Sequence, residues 1–75
     1  MRERQLRMTY DEVADAAFIY ITDPIGAGEV VASGTLSRPL ERAAVTVSFD
    51  AADRVLGIEL LGVSRLLRPE ALPQQ

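Results

Sequence analysis

Apolar Leu6, Met8 and Tyr10 alternate with polar Arg7 and Thr9, the period of two that marks a strand with one buried face. The next residues, Asp11-Glu12-Val13-Ala14-Asp15-Ala16, lose that period. A carboxylate at Asp11 suits the free backbone N–H groups of a first helical turn, so one short helical turn is expected after the first strand. Residues 16–22 (Ala-Ala-Phe-Ile-Tyr-Ile-Thr) are rich in β-formers on both faces and read as a central strand. Phe18 and Tyr20 lie on one side of it, and Ala17, Ile19 and Ile21 on the other. Pro24, Gly26 and Gly28 stop it, because proline lacks a donor and glycine favours turns.

Residues 29–36 form a weaker strand interrupted by Gly34, expected at an edge or with a bulge. A second loop follows over residues 37–42. Val45, Val47 and Phe49 then alternate with Thr46 and Ser48, and a further apolar run covers residues 55–63. Ser64 is placed to cap a short helix through Leu67 that Pro69 ends. The tail, Pro73-Gln74-Gln75, is expected to be mobile. The fold class expected is α+β, mainly β: a small antiparallel sheet of four or five strands, one helical turn after the first strand and a short C-terminal helix.

The clearest element is the hairpin over residues 43–62. Asp50 suits the start of a type I turn, and Asp53 is placed at the left-handed position of a three-residue loop, where glycine is preferred and Asp is better tolerated than most residues. That turn pairs Phe49 with Val55. An unbroken ladder would then pair Val47 with Gly57 and Val45 with Glu59. Glu59 would thereby lie on the apolar face of Val45, Val47, Phe49, Val55 and Leu61, where a charge must be paired, hydrogen-bonded or neutralised.

Length and composition narrow the classes. Seventy-five residues, 48% of them apolar, suffice for one domain spanning residues 1–75 but leave a marginal monomeric core. Cysteine and histidine are both absent, which excludes disulfides, the usual zinc patterns and a His-dependent nucleophilic triad. No apolar stretch reaches the roughly 18 residues of a membrane helix, and the Arg-bearing N-terminus is followed by no apolar signal core. A cytoplasmic location away from membranes is expected. Residues 1–10 carry a net +2 and residues 11–37 a net −5, within an overall charge of −3. An acidic middle without a basic stripe argues against a nucleic-acid partner. Gly26-Ala27-Gly28 lacks the rest of a dinucleotide fingerprint, and no phosphate loop is present. No cofactor is expected.

Met8-Thr9-Tyr10-Asp11, residues 14–21, Phe49-Asp50 and the run Arg54-Val55-Leu56-Gly57-Ile58-Glu59-Leu60-Leu61 resemble a family of small bacterial proteins, the domain-of-unknown-function family 2283, also called YuzE-like. The middle of the chain, residues 23–42, carries none of the pattern. The resemblance implies a small β-rich domain and leaves activity open. Asp53 stands where the family usually has glycine, and Ala52 where it often has an acidic or amide residue. Tyr10, Asp50, Asp53 and Gly57 are the residues of the structural motif.

The candidate functional residues are Asp11, Asp15 and Glu59. Three carboxylates that converged would suit a hard cation, and a carboxylate in an apolar site would suit proton transfer. Structural roles compete with both. Asp11 and Asp50 suit turn capping, Asp15 a bond to local backbone, and Glu59 an ion pair with Arg7, a hydrogen bond to Tyr10 or Tyr20, or a rim closed by a second subunit. The leading expectation is a non-catalytic, self-associating interaction module, a homodimer paired through residues 29–36 or 6–10 at a sheet edge. A cation-dependent hydrolase or metal-binding domain is the alternative, and an antitoxin-like partner of a small basic protein is a third reading.

Overall fold

The computed structural model describes residues 1–73; Gln74 and Gln75, the end of the tail expected to be mobile, lie outside them. Five strands form one antiparallel sheet: β1 (Met8–Asp11), β2 (Ala16–Tyr20), β3 (Ala32–Thr35), β4 (Ala44–Phe49) and β5 (Val55–Leu61). Their order across the sheet is β1-β2-β5-β4-β3. β5 is therefore central, and β1 and β3 are the edges. A helix of one turn, α1 (Val63–Leu66), and a 3-10 turn (Pro69–Ala71) follow.

The helical turn expected after the first strand is instead a tight turn over residues 12–15. Asp11 does accept the Ala14 N–H at 3.1 Å. Asp15 donates its N–H to Glu12 O at 3.3 Å and adopts φ 53°, which sends the chain back as the second arm of a hairpin, with Asp11 opposite Ala16. Four residues are too few for a helix whose flanking strands must also pair.

The β4–β5 turn forms as the sequence implies. Asp53 has φ 60°, its N–H reaches Asp50 O at 3.0 Å, and the Asp50 N–H reaches Arg54 O at 3.0 Å. Phe49 faces Val55 as expected, but Ser48 then faces Gly57, Val47 faces Ile58, Thr46 faces Glu59 and Val45 faces Leu60. Leu56 is the extra residue of a β-bulge. One inserted residue turns the remainder of the strand over, so Gly57 and Glu59 leave the apolar face and Ile58 and Leu60 take their places. The packing of Leu60, which is 6% exposed, and of half-buried Ile58 against the core is the physical reason the ladder does not run straight.

The sheet has one covered face and one open face. On the covered face Ala17, Leu60 and Val63 form the core, flanked by Met8, Tyr10, Ile19, Val45, Ile58, Leu66, Leu67 and Leu72. α1 reaches this face because Gly62, at φ 76°, is its N-cap. A Cβ at Gly62 would strike Arg42 O as well as needing that unfavourable φ. Ser64, expected as the helix cap, instead lies inside α1 and donates outward.

Candidate functional site

Asp15 joins the β1–β2 turn to the end of the chain. Its carboxylate accepts the Ser64 N–H at 2.9 Å through Oδ1 and the Ser64 hydroxyl at 2.7 Å through Oδ2. Its carbonyl accepts the Gly62 and Val63 N–H groups at 2.9 and 3.0 Å. These are N–H groups that a helix leaves unsatisfied at its start, so Asp15 caps α1 from 49 residues away. The local backbone bond expected of this carboxylate is replaced by a long-range clasp. Both its oxygens are engaged.

Glu59 projects from the open face, exposed, with Thr46 on one side and Phe18 on the other. The apolar surroundings expected from an unbroken ladder are absent, and among the described residues no hydrogen bond or ion pair joins it to Arg7, Tyr10 or Tyr20. Tyr10 packs toward the core on the opposite face. Arg7 is committed elsewhere: its Nε and Nη2 donate to the two carboxylate oxygens of Asp23 at 2.9 and 3.1 Å. The Arg7 guanidinium also lies 3.7 Å from the centre of the Tyr20 ring, the geometry of a cation–π contact. The Asp23 contact raises the Arg7 pKa and lowers that of Asp23.

Tyr20 meets Phe18 edge to face, with ring centres 4.8 Å apart. Phe18 in turn lies over Gly57, where any Cβ would collide with its ring. Asp23, Arg7, Tyr20 and Phe18 thus cover one end of the open face. Beside Phe18 a shallow hollow of about 220 Å³ remains, lined by Thr9, Asp11, Phe18 and Glu59 with neighbouring backbone. Two of the three candidate carboxylates, Asp11 and Glu59, share this hollow; Asp15 does not line it. Among the described residues no three carboxylates gather closely enough to hold a metal ion.

Asp50, the other acidic turn residue, is a structural acceptor. It takes the N–H groups of Ala52 and Arg54 at 2.8 and 3.0 Å and the Arg54 Nε at 3.0 Å. The Arg54 backbone bond is the largest cause of its lowered pKa, reinforced by that of Ala52. Two features were not singled out in the sequence, the Asp15–Ser64 clasp and the Arg7–Tyr20–Asp23 cover. The first leaves no sequence signal, since its partners are far apart along the chain. The second has a weak one, because Arg7 alternates onto the Thr9 side of its strand and Tyr20 onto the Phe18 side.

A small antiparallel sheet domain with one open face, and with Asp11, Asp15 and Asp50 engaged in turns and a helix cap, is the class these features define. The sequence pattern described as Protein of unknown function (DUF2283) matches residues 7–64, and the chain belongs to that family. No curated protein and no solved structure matches it. No helix among the described residues is long and apolar enough to cross a membrane.

Proposed function

We propose that the chain is a small interaction module without catalytic chemistry of its own, working in the cytoplasm as a homodimer. The observation that carries this reading is the shortage of buried apolar surface. Among the described residues only Ala17, Leu56, Leu60 and Val63 are buried apolar side chains, and only Val63 is fully enclosed, while Leu6, Val13, Val30, Val31, Leu36, Val55 and Leu61 are exposed. A chain of this size without disulfides gains stability by covering part of such surface with a second subunit. Sedimentation equilibrium at micromolar concentration tests it: a mass near twice the 8.2 kDa of the chain is expected, and a stable monomer would remove the dimer.

A second reading rests on the shared hollow of Asp11 and Glu59, a two-carboxylate site for a divalent cation. Thermal unfolding with magnesium, manganese or calcium separates the two readings. A rise in melting temperature that Glu59→Gln abolishes would favour the cation; no shift with any of the three would discard it.

A further inference from the structure

Resting on the self-association reading above, we propose that the contact is the free edge of β3, which pairs with β3 of a second copy across a twofold axis at Gly34. The two edges of the sheet differ sharply in how they are guarded. β1 ends on Asp11 and is preceded by Arg2, Arg4 and Arg7, charges of the kind that protect edges from strand addition. β3 has no such guard. Residues 30–37 contain no charge and no proline, every residue of β3 is exposed, and Val30, Val31 and Leu36 beside it are 44%, 59% and 51% exposed.

The hydrogen-bond alternation says which groups are offered. Leu36 donates to Val45 O at 2.8 Å, so by the antiparallel pattern Gly34 also faces β4, while Ser33 and Thr35 direct their N–H and C=O groups away from the sheet. A second β3 placed with Ser33 opposite the other copy's Thr35 satisfies all four outward groups of each strand, and it sets Gly34 against Gly34. The absence of charge over residues 30–37 makes self-pairing of β3 free of like-charge repulsion. A β1-to-β3 contact would be heterologous and would give rings or open chains rather than twofold dimers.

Two substitutions probe this edge with little demand on the subunit. Ser33→Pro removes an N–H that β4 does not use, and proline is tolerated on an edge strand in that orientation. Gly34→Lys adds a Cβ that meets the Phe49 ring at 3.8 Å, an ordinary contact, and brings two ammonium groups together at the axis. Each variant, with the exposed turn substitution Val13→Lys as control, is followed by sedimentation equilibrium and far-ultraviolet circular dichroism. The expected result is a dimeric wild type and control, and folded Ser33→Pro and Gly34→Lys chains whose dimer dissociation constant rises by about 100-fold or more. If both variants stay folded and dimerise as tightly as the wild type, the β3 contact is wrong while self-association stands. A monomeric wild type removes self-association itself, and mass that grows with concentration without a plateau replaces the closed dimer with open-ended pairing. Should one variant unfold, the other decides.

Discussion

Phe18 lies across Gly57, on the strand next to its own, and the glycine is what lets it. The ring covers backbone that no side chain protects, and Tyr20 then packs against its edge. Gly57 is buried although it sits on the open face of the sheet. Introducing a methyl group forces Phe18 away, so Gly57→Ala should destabilise the fold by about 1–3 kcal/mol. Phe18→Leu, which vacates that space, should lessen the cost of Gly57→Ala in the double variant. Urea unfolding of the four proteins measures the coupling; additive effects would mean the contact has been misplaced.

The clasp between Asp15 and Ser64 fixes α1 over the core. Asp15→Ala removes its acceptors and puts alanine at φ 53°, and a loss of about 2 kcal/mol is expected from the missing cap and the left-handed backbone together. Asp15→Asn, which tolerates that φ, and Ser64→Ala, which removes one of the two side-chain bonds, should each cost less. Denaturant midpoints check the order, and amide exchange at Leu66 and Leu67 should quicken in parallel.

Asp53 presents the opposite case, a residue that the turn admits at some strain. With φ at 60° and its carboxylate bonded to no group among the described residues, Asp53→Gly should stabilise the protein by up to about 1 kcal/mol. A calorimetric melting temperature above the wild-type value is the expected result.

Asp50 makes the hairpin sensitive to acid. Its folded pKa lies below the ordinary 3.8, so the unfolded chain binds the proton more readily. The associated stabilisation is complete above the unfolded value and is lost as pH falls through the folded one. Asp23, lowered by Arg7, acts in the same sense. Between pH 7 and pH 3 the wild-type urea midpoint should therefore fall, and Asp50→Asn, less stable at neutral pH, should fall by less.

Much of this architecture was legible where one residue acts locally. Asp53 gave away its turn, Pro24 and the nearby glycines ended β2, and Gly34 with its weak flanks placed β3 at an edge. The bulge at Leu56 was not legible. Residues 55–61 are apolar on both sides of the strand, so alternation alone cannot choose between Gly57–Glu59 and Ile58–Leu60 as the inward set. The choice depends on β2 and β4 packing against both flanks of β5. Glu59 is an exposed carboxylate on the open face for the same reason. Asp15 was legible as a turn residue and illegible as a clasp, since nothing near it in sequence points to Ser64. Of the candidate site, the chain itself indicated the residues, and the three-dimensional structure separated Asp15 from Asp11 and Glu59.

Residue-resolved amide exchange as a function of protein concentration tests the β3 contact most directly. Gly34, bonded to β4 within each subunit, serves as the internal reference. If β3 pairs with β3, the Ser33 and Thr35 amides will be protected at hundreds of micromolar, roughly as Gly34 is, and will exchange faster on dilution below the dimer dissociation constant. Ser33 and Thr35 amides that exchange freely at every concentration, while Gly34 remains protected, would contradict it.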